Sequence, residues 1–168
     1  MKTYFAFLRG INVVGRNVVR MSELRELCTS LGWEDVRTLL NSGNVIFRAK
    51  EATPKELEEA LGGVRVILRT DAELRKVVKN NPFDTVRNPS YLHVAFFDKK
   101  VSAGTLRDAY GDKGPEVIRG GPGRELYIDY VNGVGRSKLS HGFIERTLGA
   151  AATLRNWNTV TKLVAMAG

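Results

Sequence analysis

Apolar residues along the chain switch between two spacings, and each switch marks an element. Thr3 to Leu8 is a continuous apolar and aromatic run, the pattern of a buried strand, and the loop after it holds Gly10, Asn12 and Gly15. Leu24, Leu27, Cys28 and Leu31 then fall at i, i+3, i+4 and i+7, which predicts a helix capped by Ser22 and stopped by Gly32. Val36 to Leu40 and Val45 to Phe47 flank Asn41-Ser42-Gly43-Asn44, the composition of a β-hairpin turn. Thr53-Pro54-Lys55-Glu56 is a capping box with proline in the first turn, so a second helix is expected to about Leu61, where Gly62-Gly63 ends it. Val64 to Leu68 reads as a fourth strand. The order β-α-β-β-α-β is that of a ferredoxin-like, or split βαβ, unit, in which four antiparallel strands carry two helices on one face.

A helix over 71–79 and the turn-rich stretch 80–90 follow, and the same grammar restarts. Tyr91 to Phe97 reads as a strand, 102–110 as a helix, 116–119 and 124–131 as a second hairpin, and 138–148 as a helix closed by Gly149. No last strand is evident. A C-terminal helix from about Asn156 to Ala167 stands in its place, with Trp157, Val160, Leu163, Val164 and Ala167 at helical spacing and Trp157 expected to anchor it in the core. The predicted class is α+β: two consecutive ferredoxin-like units with antiparallel sheets plus a C-terminal helix, divided into 1–79, a joint at 80–90, and 91–168. The repetition is one of element order, and no repeat of residues stands out.

Composition adds constraints. The 168 residues suffice for two small packed units, and an apolar content of 43% suits a globular chain. No stretch approaches the roughly 18 to 20 apolar residues of a membrane span, so no membrane partner is expected. Arg9 interrupts the first apolar run before it can serve as a secretory leader. The single cysteine cannot form an internal disulfide, which fits a cytoplasmic location. The formal charge of +8, from 26 basic and 18 acidic residues, favours an anionic partner. It is spread over both halves without a Lys/Arg-rich run, so a small anion is the first expectation and nonspecific nucleic-acid binding an alternative.

Three loops combine Gly or Asn with Arg beside predicted helix starts, where backbone N–H donors and guanidinium groups add. They are Arg9-Gly10-Ile11-Asn12 with Gly15-Arg16-Asn17, Gly133-Val134-Gly135-Arg136-Ser137-Lys138, and Arg155-Asn156-Trp157-Asn158. The glycines of the second loop suit an anion-binding nest, although it is not a Walker A loop, because Tyr130 stands where the first Gly of that motif belongs. Together the segments FLRGINVVGRN, MSELRELCTSLGWEDVRTLLNSGNVIF, GVGRSKLS and TLRNWNTVTKL resemble an uncharacterised, mostly bacterial family catalogued as domain of unknown function 1697. That resemblance implies an α+β fold and no activity. Val14 stands where the family usually has Gly, and Leu154 lies within the terminal Thr-x-Arg stretch.

The first loop also resembles that of acylphosphatases, a small ferredoxin-like family. There an Arg before the first helix binds the phosphoryl group and an Asn near the central hairpin orients the attacking water. By position Arg20 and Asn41 or Asn44 would take those roles, though only Gly15-Arg16 matches that family's loop, and turn chemistry is the simpler reading of the two asparagines. Cys28 lies on an apolar helix stripe and reads as a packed thiol. His93 and His141 lack metal-ligand spacing, so neither a metal nor another cofactor is called for. Glu58-Glu59 and Glu34-Asp35 are adjacent pairs and read as solvated charge. The strand 44–48 lacks the glycine-aromatic pattern of RNA-recognition sheets, and Phe5 and Phe7 read equally well as packing residues. The leading expectation is a binding protein for a phosphorylated or otherwise anionic ligand held by Arg9, Asn12, Arg16, Arg136, Ser137, Lys138, Arg155, Asn156 and Asn158. Acylphosphatase-like hydrolysis is the enzymatic alternative.

Overall fold

A computed structural model describes residues 1–12, 17–83 and 88–168. The chain runs β1 (Lys2–Leu8), α1 (Met21–Ser30), β2 (Glu34–Leu39), β3 (Asn44–Ala49), α2 (Pro54–Ala60), β4 (Val66–Thr70) and α3 (Asp71–Lys79). It continues as β5 (Leu92–Phe97), α4 (Ala103–Tyr110), β6 (Val117–Gly120), β7 (Glu125–Asp129), α5 (His141–Leu148), β8 (Ala152–Asn156) and α6 (Trp157–Met166). The strands form two four-stranded antiparallel sheets, in the orders β2-β3-β1-β4 and β6-β7-β5-β8. These are two consecutive ferredoxin-like units.

The second unit departs from expectation, because its last strand is present. Ala152–Asn156 pairs with β5, Val94 opposite Arg155 and Phe96 opposite Thr153. Ala152 and Leu154 face the helix-side core, while the alternate positions Thr153 and Arg155 are polar yet also buried, so the strand lacks the continuous apolar run of one buried on both faces. By contacts the chain divides into Met1–Leu74 with Leu163–Gly168, and Arg75–Lys162. The division therefore falls inside α3 rather than in 80–90, and the last six residues belong to the first unit.

Each unit has its core between sheet and helices. In the first, Tyr4, Leu8, Leu24, Cys28, Phe47 and Leu57 are buried together, and Trp33 stacks on Phe47 with ring centroids 3.8 Å apart. In the second, Phe97, Leu106, Tyr110, Ile128, Tyr130 and Ile144 play the same part. The opposite face of each sheet is also buried: Phe5, Phe7, Ile46 and Arg69 in one, Val94, Phe96, Tyr127 and Arg155 in the other. Phe5 and Phe7 thus form no exposed platform on which RNA bases stack.

Local chemistry explains the helix ends. Ser102 and Ser140 cap α4 and α5 by accepting the N–H of Thr105 (3.2 Å) and Phe143 (3.1 Å), and Thr53 with Glu56 forms a capping box on α2. The cap of α1 is Arg20 rather than Ser22, and its side chain makes no capping bond. In α6 the burial rests on Val160 and Leu163, while Trp157 is only half-buried, so the expected aromatic anchor is an aliphatic one.

Candidate functional site

The loop after β1 is bound to the first hairpin. Asn12 has the left-handed backbone conformation that Asn tolerates, with φ +54°. Its Nδ2 donates to the carbonyls of Val19 (2.9 Å) and Asn41 (2.8 Å), and its Oδ1 accepts the N–H of Val19 (2.9 Å). Both amide protons are therefore spent on backbone. Asn17 adds a bond from Nδ2 to the Gly10 carbonyl at 3.1 Å. The facing turn is left-handed at Leu40 and Gly43 rather than at its asparagines. A Cβ on Gly43 would lie 2.7 Å from Ile11 Cδ1 and 2.9 Å from Leu8 Cβ, so only glycine fits there. Asn44 is fully buried and donates from Nδ2 to the Leu39 carbonyl (2.8 Å) and to Ser42 Oγ (3.2 Å).

Two of the segments behind the family resemblance thus hold each other, through the side chain of Asn12 and the backbone of Asn41. Asn12 has no amide proton left for a ligand. Of the residues assigned to hydrolysis, Arg20 and Asn41 are exposed, Asn41 bonds through its backbone carbonyl, and Asn44 is closed off. Arg9 is exposed, and its backbone N–H donates to the Arg65 carbonyl at 2.9 Å. Gly15 and Arg16 lie outside the described residues.

The terminal Arg-Asn-Trp-Asn segment is a strand-to-helix junction rather than a loop. Arg155 sits on the buried face of β8, 8% exposed, and its Nη1 donates to the Leu154 carbonyl at 3.1 Å. Burial lowers its guanidinium pKa to about 10. A cation so placed is withdrawn from solvent anions, which corrects its assignment to a ligand loop. Asn156 caps α6, its Oδ1 accepting the N–H of Thr159 at 2.9 Å. Asn158 is exposed and donates to Ser90 Oγ at 3.3 Å. The junction of β4 with α3 repeats this design. There Arg69 is buried, its Nη1 donates to the Leu68 carbonyl at 2.9 Å, and Thr70 Oγ1 accepts the N–H of Glu73 at 3.2 Å. Leu68-Arg69-Thr70 and Leu154-Arg155-Asn156 are thus a repeat of residues that element order alone did not reveal.

The loop between β7 and α5 remains. Val131 is left-handed, φ +60°, a strained conformation for a β-branched residue, and its N–H is taken by Asp129 Oδ1 at 2.9 Å. Gly133 is also left-handed and faces the Tyr91 ring. Further on, Ser137 Oγ donates to Glu116 Oε1 at 2.6 Å and accepts the N–H of Leu139 at 3.0 Å. Tyr110 donates to the other oxygen of Glu116 at 2.6 Å, and Tyr130 to the Leu139 carbonyl at 2.8 Å. Desolvation alone would raise the Glu116 pKa, but the bonds from Ser137 and Tyr110 outweigh it and hold the carboxyl below its usual value. Desolvation, with Glu116 close by, pushes Tyr110 up to about 12. Arg136 and Lys138 project into solvent from this fixed loop, without a hydrogen bond or ion pair among the described residues. Glu116 and Tyr110 carry no local signal in the sequence, since the serine that meets them lies 21 positions from Glu116.

Elsewhere the chemistry is quiet. Burial pushes the Cys28 thiol up to about 12, which keeps it unreactive. Burial lowers the His93 pKa, against a backbone bond to Tyr91 that acts to raise it. His141 Nε2 lies 2.6 Å from the Ala152 carbonyl. No cluster of metal-ligating side chains occurs among the described residues, nor any helix long and apolar enough to cross a membrane. A recess lined by Asn88, Tyr91, Asp129 and Val131 holds about 30 Å³, against roughly 300 to 1,000 Å³ for ordinary ligand pockets.

The model of a family described as "Protein of unknown function (DUF1697)" matches residues 1–127. The chain belongs to this family. Within the matched part of this DUF1697 protein lie the interlocked Arg9–Asn12 loop and Asn41–Asn44 turn, whereas the Gly133–Lys138 loop and the β8–α6 junction lie beyond it. The fold is shared with the conserved bacterial protein SP0830 from Streptococcus pneumoniae, at 23% identity and a TM-score of 0.74 over 98% of each chain. No curated protein matches.

Proposed function

We propose that this protein binds a phosphorylated or otherwise anionic small molecule at the loop that leads into α5, with Arg136 and Lys138 as the cationic contacts. The observation that carries the reading is the contrast within one loop. Ser137, Leu139 and Ser140 fix the backbone through bonds to Glu116, Tyr130 and Phe143, while the two cations beside them make no bond among the described residues. Pre-organised charge of this kind binds an anion without first losing backbone entropy. The net charge of +8 acts in the same direction by raising the local concentration of anions.

The test is thermal unfolding in a series of inorganic phosphate at constant ionic strength. A ligand bound only by the native state raises Tm by mass action and saturates, and the Arg136→Ala, Lys138→Ala double variant should lose that gain. Phosphate also stabilises proteins through exclusion from their surface, which acts equally on both proteins. Parallel curves overturn the reading. A polyanion such as single-stranded DNA that binds with steep salt dependence, where phosphate has no effect, favours nucleic acid instead.

A further inference from the structure

We propose that Ser137 is the acceptor of a phosphoryl group from an acyl phosphate, with Glu116 as the base that takes its proton. The inference rests on the anion-binding reading of the same loop and assigns it a substrate class. Ser137 is half-buried, and its hydroxyl proton is already directed at Glu116 Oε1 across 2.6 Å, a charge-assisted bond along the path of transfer. The Leu139 N–H holds the serine oxygen from another side at 3.0 Å. Oε2 of the carboxylate is fixed by Tyr110, so its orientation is set before any ligand arrives. Gly114 makes this packing possible, because a Cβ there would collide with both the Glu116 carboxylate and the Tyr110 hydroxyl.

The charges suit a phosphoryl donor. Arg136 and Lys138 flank the serine in sequence, and Lys113 lies 4.9 Å over the Phe143 ring, which itself packs edge-on against Tyr110. Arg136 and Lys138 are exposed on either side of a half-buried serine, where a phosphate in solution can reach them. Phosphoryl transfer asks for positioning and neutralisation of charge more than for strong base catalysis, so a carboxylate of low pKa is adequate. In the step, Ser137 Oγ forms a bond to phosphorus, its proton passes to Glu116 Oε1, and the P–O bond to the acyl group breaks with its electron pair leaving on the carboxylate product. Glu116 then releases its proton to water. The Tyr110 proton is committed to Glu116, so no acid assists departure, and the donor must carry a leaving group that is stable unprotonated. A carboxylate meets that demand, whereas the alkoxide of an ordinary phosphomonoester does not.

The experiment is incubation of the full chain with acetyl phosphate, followed by intact mass and peptide mapping. One phosphoryl group on Ser137 is expected, with none on Ser137→Ala and a rate at least about 100-fold lower in Glu116→Gln, the usual worth of a positioned base. Absence of label on Ser137, or label confined to Lys138 and other lysines as acetyl, overturns the proposal. Labelling of folded Glu116→Gln at the parent rate removes Glu116 from the step. If Glu116→Gln does not fold, mapping on the parent and on Ser137→Ala still decides. Protection by phosphate without labelling refutes the acceptor role and leaves the binding reading intact; loss of both refutes both.

Discussion

Replacing Asn12 tests whether the first family segment serves the fold or a ligand. Its side chain makes three bonds to backbone, two of them part-buried and one exposed. At a net value of about 0.5 to 1.5 kcal/mol each, with the exposed bond at the low end, Asn12→Gly should cost about 2 to 3 kcal/mol. Glycine keeps the left-handed backbone at no steric cost, whereas alanine at φ +54° adds about 1 kcal/mol, so Asn12→Ala should cost about 3 to 4 kcal/mol. Asn12→Asp retains the acceptor for the Val19 N–H but turns a charged oxygen toward the carbonyls of Val19 and Asn41, and should be worse than Gly. Urea unfolding at a common m-value measures all three. The order Gly, then Ala, is as important as the size. If Asn12→Gly lies within about 0.5 kcal/mol of the parent, or Ala is the more stable of the two, the loop is not held by this side chain and its asparagine must be explained by binding.

Two further outcomes are expected. Trp33→Ala should destabilise by about 3 to 5 kcal/mol and Trp157→Ala by only about 1 to 2, because the first ring is buried against Phe47 and the second is half-buried; equal losses in denaturant melts would contradict the account of α6. The folded-state pKa of Tyr110 is raised from 10.0 to about 12, so its contribution to stability is complete below pH 10 and is lost as pH rises toward 12. Tyr110→Phe should make that alkaline limb shallower, and an unchanged slope in pH-dependent urea melts would refute the assignment.

Most elements were legible because burial follows period: 71–79 and the strand 92–97 lie where pattern placed them. What failed did so for identifiable reasons. Strand β8 is short, and its apolar Ala152 and Leu154 alternate with Thr153 and Arg155, polar residues that are nevertheless buried, so it lacks the continuous apolar run by which β1 announces itself. Trp157 shares the helical spacing of Val160 and Leu163, yet its place in the first turn of α6 leaves it half out of the core. The three Arg-bearing segments looked alike in composition and differ in geometry: one spends its asparagine on a turn 29 positions away, one is a strand with a buried guanidinium, and one leaves its cations outside. Hydrogen bonds over such separations leave no periodic trace.

The assignment of Leu163–Gly168 to the first unit has a consequence for how the chain matures. A protein made of two consecutive units ordinarily completes the first while the second is still being synthesised. Here the first unit closes last: Arg37 on β2 donates to the carbonyl of Met166 at 2.6 Å, a partner that is translated 129 residues later. Until then the leading half must persist on the ribosome without its final segment, and a translation pause or premature stop anywhere before residue 163 leaves that unit, not just the second, unfinished.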